Sequence, residues 1–260
     1  METLREDPPS DTPVTRIKNL DVLGLDQEPN FGGTKDGADE RAQAPLLSSL
    51  SACTAQPYQH HKHRRQYRSG GTRYITLPQA TNIIEAADFA KLIDLPLVAH
   101  LTIHWSLTDA NDDPHGTLFA KLREGLNKWL HRGRIAFAAA WCRERQSGGQ
   151  SDVVHCHLLF HLPVEYRTAA RLLEVEAAIG RLVRLHGGAI SHEKATNLRV
   201  HDNPDGKYLI KGGGPKVWRL FRLRKEHRRL QGIIHGKRCG TTQNIGRSAR
   251  EQFTARRAVA

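Results

Sequence analysis

The sequence predicts an α+β fold with an antiparallel sheet between residues 73 and 214. In this region, short runs rich in Val, Ile and aromatic residues alternate with longer segments in which apolar residues recur every three or four positions. The first pattern is typical of strands and the second of amphipathic helices. Residues 1–72 have little apolar periodicity and are interrupted by Pro and Gly, which predicts a largely disordered N-terminal region.

The first half of the domain is predicted to contain a helix, a strand and a second helix. Apolar residues at helical spacing indicate a helix from about residue 79 to 94, ending before Pro96. The apolar run over residues 98–105 indicates a strand. The second helix ends at Gly133, and its core stripe consists of Leu118, Leu122, Leu126, Trp129 and Leu130.

The second half is predicted to begin with a hairpin. Its strands cover residues 135–142 and 153–160, and a loop with two glycines joins them. A third long helix follows and stops at Gly187–Gly188. The apolar residues that define this helix are Leu172, Val175, Ile179, Leu182 and Val183.

The last predicted elements are a short strand over residues 196–200 and a short helix that carries Tyr208 and Lys211. From residue 98 the order is therefore strand, helix, strand, strand, helix, strand, which is the βαββαβ pattern of ferredoxin-like folds. In that topology the 153–160 strand lies centrally. The two long helices would cover one face of the sheet and leave the other face free for a metal, the Tyr208 helix and substrate.

His155 and His157 are the strongest indication of a metal site. They are two residues apart in an apolar run, so on a strand both imidazoles point to the same face. If the hairpin turns at Gly148–Gly149, Glu144 lies opposite His155, with side chains ~5 Å apart. Two imidazoles and a carboxylate suit Mg²⁺ or Mn²⁺ and leave positions open for phosphate oxygens. His104, on the neighbouring strand, is a reserve third ligand.

Tyr208 and Lys211 are the candidate catalytic residues. They are three apart, so on a helix they share a face. A tyrosine has an unperturbed pKa of about 10 and must be activated before it attacks a phosphodiester. A nearby ammonium and a metal would favour its phenolate form.

Charge is distributed unevenly along the chain, whose formal net charge is +12. Residues 73–214 contain 17 basic and 15 acidic residues, whereas residues 215–260, the basic arm, contain 13 basic and 2 acidic residues. A second basic cluster covers residues 58–68. A nearly neutral body with basic flanks indicates nucleic acid as the partner.

The basic arm is expected to hold DNA through phosphate contacts. Apolar residues at near-helical spacing predict an amphipathic helix from residue 217 that reaches about Leu230. The arm is then either a DNA-contacting helix docked on the body or a segment that completes the core. The candidate DNA-contacting residues are Lys216, Arg219, Arg222, Arg224, Lys225, Arg228 and Arg229.

The cysteines and the N-terminus indicate a cytoplasmic protein. The four cysteines are scattered without a Cys-x-x-Cys pair, which predicts neither a zinc knuckle nor a disulfide framework. The acidic, proline-containing start of the chain is unlike a signal peptide. No apolar run approaches the roughly 20 residues that span a bilayer, so no membrane contact is expected.

These motifs together resemble the HUH endonuclease superfamily, in particular its rolling-circle replication initiators with a single catalytic tyrosine. His155-Cys156-His157 is similar to the HUH motif, and Tyr208-Leu209-Ile210-Lys211 is similar to the Tyr-x-x-Lys motif. Residues 101–108 resemble the first, less specific strand motif. The three occur in the order of the family and cover residues 98–214. The resemblance implies an HUH nuclease fold that is RRM-like, with the tyrosine helix on the face opposite the two long helices.

The resemblance also implies an activity and its partners. It implies site-specific nicking and rejoining of single-stranded or hairpin origin DNA of a plasmid or phage, through a 5′-phosphotyrosyl intermediate, with a 3′-end left for a host polymerase. The sequence lacks a P-loop motif, so a host helicase would be recruited. Tyr166 lies in a helix expected on the other side and is a poor second nucleophile. With one tyrosine, closing the product needs a second subunit, hence a dimer, or an activated water.

Two alternatives stay open at this point. Single-tyrosine HUH transposases have the same motif order and the same chemistry. A protein that uses a degenerate nuclease fold only to bind an origin or operator would also have the basic arm.

Overall fold

The computed structural model of the protein describes residues 71–145, 153–202, 206–225, 228 and 231–259. The predictions of a disordered segment over residues 1–72 and of a basic cluster over residues 58–68 concern residues that, except for 71 and 72, lie outside this range.

The described residues form an α+β fold around one five-stranded sheet, as the sequence predicts. The strands lie in the order β4-β1-β3-β2-β5, and all neighbours are antiparallel. The central position of β3, between β1 and β2, is confirmed, whereas β5 was not predicted. The strands are β1 (Ala99–His104), β2 (Ala139–Arg145), β3 (Val154–Phe160), β4 (Thr196–Val200) and β5 (Cys239–Thr241).

The helices begin and end where local interactions satisfy their free backbone groups. The Asp113 carboxylate accepts hydrogen bonds from the amides of Leu118 and Phe119 in the first turn of α2. Gly188, with a φ of 81°, ends α3 in a conformation that favours glycine. The helices are α1 (Leu77–Leu92), α2 (Thr117–Arg132), α3 (Ala169–Gly187), α4 (Pro215–Leu220) and α5 (Arg247–Val259).

The first face of the sheet is covered by α2 and α3, as predicted. The side chains of this layer include Leu101, Ile103, Leu122, Leu126, Leu158, Val175 and Ile179. The prediction that the second face is free is wrong. It is partly covered by α1 and α4, and α5 packs against α1, because α1 and residues beyond 205 supply their own apolar side chains. The second layer includes Ile83, Phe89, Cys142, Leu159, Leu209, Val217 and Ile245, with Phe253 packed against it.

The hairpin of β2 and β3 has the predicted register. Glu144 pairs with His155, and the residue numbers of every pair add up to the same value, although residues 146–152 lie outside the described range. Strand β2 starts later than predicted and extends to Arg145, past the end of the apolar run. It accommodates the buried Arg143 because that guanidinium donates to the carbonyl oxygens of Asp113, Pro114 and His235.

The segment that carries Tyr208 is a 3₁₀ helix, Gly206–Ile210, rather than the predicted α-helical turn. We call Gly206–Lys211 the tyrosine turn. A Cβ atom on Gly206 would lie 3.3 Å from Cβ of Ala87, so the absence of a side chain lets this turn approach α1 closely. Leu209 and Ile210 are fully buried in the second layer and anchor the turn there.

The predicted long amphipathic helix in the basic arm is wrong. Helix α4 ends at Leu220, and Arg222 has a φ of 48°, which a continuous helix does not allow. The later residues of the arm complete the core: β5 pairs with β2, and the side chains of Leu223 and Ile234 are buried.

Within the described residues, no helix is both long and apolar enough to cross a membrane.

Candidate metal centre and tyrosine site

The second face of the sheet is polar at one end, where three neighbouring strands present titratable or hydroxyl side chains. Alternation along β1 brings His100, Thr102 and His104 to this face, and pairing places His104 beside His155 and Thr102 beside His157. On the other side of β3, Glu144 of β2 lies beside His155. On β1 and β3 the apolar neighbours of these residues point into the first core layer, which fixes the orientation of the polar side chains.

Glu144, His155 and His157 form a group that could hold a metal ion. Their ligand atoms all lie within 4.8 Å of one another, and all three residues are buried. Oε2 of Glu144 is 3.3 Å from Nε2 of His155 and 3.6 Å from Nε2 of His157. The three donor atoms therefore converge on one point, as predicted from the His-x-His spacing and the hairpin register.

His157 is held by two residues that were not predicted. Its Nδ1 lies 3.1 Å from Oγ1 of Thr102 and 3.3 Å from Nε2 of His100. When Nδ1 donates in either contact, Nε2 carries the lone pair that faces Glu144. Both residues therefore hold the ring in its orientation, as groups behind a metal ligand commonly do. The signal was present in the alternation of His100, Thr102 and His104 along one strand.

His104, the reserve ligand, lies outside the group. Its ring stacks on that of His155, with centroids 5.5 Å apart and an angle of 19° between the planes. It therefore supports His155 from the side, and Glu144 is the third donor.

The tyrosine turn brings Tyr208 and Lys211 onto the same group. Nζ of Lys211 donates to the Tyr208 hydroxyl at 3.0 Å, and it lies 3.2 Å from Oε2 of Glu144 and 3.3 Å from Nε2 of His157. The Tyr208 ring meets the ring of His157 edge to face, with centroids 5.1 Å apart. All five predicted residues of the site are thus in one cluster.

Burial keeps the imidazoles of His100 and His157 neutral. Burial, followed by the charge of His157, lowers the pKa of His100 to about 3. Burial also lowers the pKa of His157 to about 4, although Glu144 acts in the opposite direction. At neutral pH His157 therefore has a free lone pair, the form in which imidazole binds a metal.

The carboxylate and the ammonium of the cluster stay charged. Burial alone would raise the pKa of Glu144, but the neighbouring His155 and His157 and the charge of Lys211 hold it well below its usual value. Burial would lower the pKa of Lys211, yet the Glu144 carboxylate and the Tyr208 hydroxyl raise it. Each charge of this buried pair thus stabilises the other and offsets the cost of burial.

Cys142, on β2, is a further neighbour of the Glu144 carboxylate. Its thiol donates to Oε1 of Glu144 at 3.8 Å, whereas the histidines face Oε2 of the same carboxylate. Burial, and then the Glu144 charge, raises the pKa of Cys142 well above its usual value, so the thiol stays protonated and remains a donor. Cys142, Cys156 and Cys239 are all buried and reduced.

The predicted DNA-contacting residues of the basic arm lie on α4 and in the segment that follows it. Arg229 lies outside the described residues. Helix α4 packs through Val217 into the second layer, so it is on the same side of the sheet as the tyrosine turn. The exposed residues of the predicted set are Lys216, Arg219, Arg222, Arg224, Lys225 and Arg228.

Tyr166, the other tyrosine considered, packs against the first core layer, on the opposite face of the sheet from the metal group. It cannot reach a substrate held by His155 and His157 in this arrangement.

Comparisons of the chain with protein-family models, with curated proteins and with solved structures found no match.

Proposed function

We propose that the protein is a metal-dependent endonuclease of the HUH type, which nicks single-stranded DNA through a covalent bond to Tyr208 and thereby initiates rolling-circle replication. One observation carries the proposal: Lys211 contacts the Tyr208 hydroxyl, Glu144 and His157 at 3.0, 3.2 and 3.3 Å. A tyrosine with an ammonium on its hydroxyl, beside a group that could hold a metal ion, is an arrangement suited to attack on a phosphodiester.

Glu144, His155 and His157 would hold the metal, which we propose to be Mg²⁺ or Mn²⁺. Three donors from one side leave other coordination positions for phosphate oxygens, and a mixed imidazole and carboxylate set suits Mn²⁺ in particular. When bound, the ion neutralises charge on a non-bridging oxygen of the scissile phosphate.

Tyr208 is the proposed nucleophile. Its oxygen attacks phosphorus and forms a phosphotyrosine, while the bond from phosphorus to the 3′ oxygen breaks. The tyrosine proton leaves the site and a proton reaches the departing 3′ oxygen, so that a free 3′-hydroxyl results. One phosphoester replaces another, and the same residues can therefore rejoin the strand in the reverse direction.

Lys211 is proposed to stabilise the tyrosine oxygen as it loses its proton. An ammonium at 3.0 Å from this oxygen favours the charged form through a direct hydrogen bond. The edge-to-face contacts of the Tyr208 ring with His100 and His157, at 4.7 and 5.1 Å between centroids, restrict the directions from which the oxygen can approach phosphorus.

The exposed cations of α4 and of the segment after it would hold the DNA on the side of the tyrosine turn. Contacts of Lys and Arg with phosphates provide affinity and position, whereas base contacts provide sequence specificity. Replication and transposition would use the same residues, and the DNA that flanks the gene separates the two functions. A double-stranded origin would indicate replication, and palindromic borders would indicate transposition.

The proposed activity is tested with single-stranded oligonucleotides that tile the DNA flanking the gene. The full chain with Mn²⁺ should cleave one of them and leave a labelled protein–DNA adduct on a denaturing gel. Tyr208→Phe should bind the same oligonucleotide but form no adduct, because only the attacking oxygen is lost.

Tyr166→Phe is the matched control, since it removes a hydroxyl from the other face of the sheet. It should form the adduct at the wild-type rate. An adduct that persists in Tyr208→Phe, or cleavage that is independent of added metal after chelation, would contradict the proposal.

A further inference from the structure

Lys211 makes contacts that are not needed to activate a tyrosine. Besides the Tyr208 hydroxyl, its ammonium lies 3.2 Å from Oε2 of Glu144 and 3.3 Å from Nε2 of His157. An ammonium has three N–H donors and no acceptor, so these three partners satisfy it completely.

Two of these partners are donor atoms of the metal group. Nε2 of His157 accepts from Lys211 when its Nδ1 donates towards Thr102 or His100. Oε2 of Glu144 is the carboxylate oxygen that also faces both histidines. A metal ion and the Lys211 ammonium therefore need the same lone pairs, and two cations cannot share them.

We propose that Lys211 is the internal cation of this site and sets which ions can enter it. It neutralises the buried Glu144 carboxylate whenever no metal is present. An ion can displace the ammonium only if two imidazoles and the carboxylate bind the ion more tightly than they bind the ammonium. Monovalent ions are not bound that tightly and are therefore excluded. The displaced ammonium keeps one of its three partners, the Tyr208 hydroxyl. This inference depends on the metal-centre part of the proposed function and not on DNA cleavage.

The burial of the site explains why an internal cation is required. The Glu144 side chain is 2% exposed, and a buried carboxylate without a compensating charge is strongly destabilising. The side chain of Lys211 is 17% exposed, so one side of it reaches solvent, and its flexible stem allows the ammonium to move. A guanidinium or a neutral side chain would not combine charge, compactness and freedom to move in this way.

The test is the affinity of the full chain for Mn²⁺, measured by titration calorimetry in the absence of DNA. Lys211→Met should bind Mn²⁺ more tightly than the wild type, by about tenfold or more, as removal of a neighbouring positive charge does for a proton on a carboxylate. Lys121→Met, which removes an exposed lysine of α2 on the other side of the sheet, should leave the affinity unchanged. Lys211→Arg retains the charge and should bind no more tightly than the wild type.

Thermal unfolding with and without Mn²⁺ is the second readout. Without metal, Lys211→Met should unfold at a lower temperature than the wild type, and Mn²⁺ should raise its unfolding temperature by more. A Lys211→Met chain that binds Mn²⁺ no more tightly than the wild type would overturn the inference. So would one that stays unfolded even with saturating Mn²⁺, since a metal should replace the lost ammonium.

These readouts are independent of the nuclease assay. Tighter Mn²⁺ binding by Lys211→Met, together with no cleavage of any DNA by the wild type, would support the internal cation and contradict the proposed activity. Cleavage by the wild type with no change in Mn²⁺ affinity in Lys211→Met would do the reverse.

Discussion

Each ligand side chain of the metal group depends on a neighbour for its orientation. His157 contacts Thr102 and His100 through Nδ1, His155 stacks on His104, and Glu144 accepts from Cys142 on its second oxygen. Groups behind a metal ligand fix the ring and its tautomer and raise the basicity of the ligand. Contacts with single neighbouring side chains thus preorganise the donor atoms before an ion binds.

Thr102 provides a test of this preorganisation. Thr102→Val keeps the shape of the side chain but removes Oγ1, so His157 should lose one of the two partners of Nδ1. We expect Mn²⁺ affinity to fall by about tenfold, the lower end of the effect of such partners, because His100 still contacts the ring. Titration calorimetry measures the change. Thr102→Ser, which retains the hydroxyl, should bind like the wild type; an equal loss in both variants would indicate a packing effect instead.

Two kinds of secondary structure build the site: the sheet holds the metal group, and the tyrosine turn brings Tyr208 to it. Strands β1, β2 and β3 fix three rows of side chains by alternation and register. The tyrosine turn belongs to no strand, and its position depends on Leu209 and Ile210 in the second layer and on the close approach of Gly206 to α1. The distance from Tyr208 to the metal group is therefore set by packing.

Leu209→Ala tests whether packing positions this turn. Leu209 is fully buried, so its truncation should cost about 2–5 kcal/mol in the free energy of unfolding. The cleavage rate should fall by more than the unfolded fraction of the protein explains, because Tyr208 and Lys211 flank Leu209. Denaturant unfolding and single-turnover cleavage measure the two effects. Leu220→Ala, at a residue that is 60% exposed, should change stability by less than about 0.5 kcal/mol. Equal stability in the two variants would contradict this role for Leu209.

The parts of the fold that could be predicted are those with a local signal. Period-two alternation placed His155 and His157 on one face, and a short hairpin placed Glu144 opposite His155. His100 and Thr102 alternate with His104 along one strand, but they were missed because the sequence does not show which residues of β1 lie beside His157. Strand β5 has three residues and pairs with a strand about a hundred residues earlier, so neither its length nor its composition indicated it.

The 3₁₀ form of the tyrosine turn is a similar case. A spacing of three between Tyr208 and Lys211 brings them together in either helix type. The choice between the two is made by tertiary contacts with α1 and the second layer, which no short sequence pattern contains. The site could therefore be predicted even though the element that carries it was assigned to the wrong helix type.

At the scale of the whole molecule, the basic arm serves both the core and the surface. Its buried residues extend both layers, Leu223 the second and Ile234 the first. The backbone of residues 231–238 continues along β2, where the amide of Arg143 donates to the carbonyl of Arg238 at 2.7 Å. The arm was expected either to contact DNA or to complete the core, and the described residues do the second. Its exposed cations on α4 leave the first open, and they lie on the side of the sheet that holds Tyr208.

The salt dependence of DNA binding tests whether these cations contact phosphates. A variant with Lys216→Gln, Arg219→Gln and Arg222→Gln removes three exposed charges from α4 and the residues just after it. For single-stranded DNA, each lost phosphate contact should reduce the slope of log affinity against log salt concentration by about 0.7, so the triple variant should lose about two units. The control variant removes three exposed charges from α2, on the opposite side of the sheet, with Lys121→Gln, Lys128→Gln and Arg132→Gln. Its slope should equal that of the wild type. Equal reductions in both variants would mean that net charge alone attracts the DNA, and would remove the argument that the strand passes over α4 on its way to the tyrosine turn.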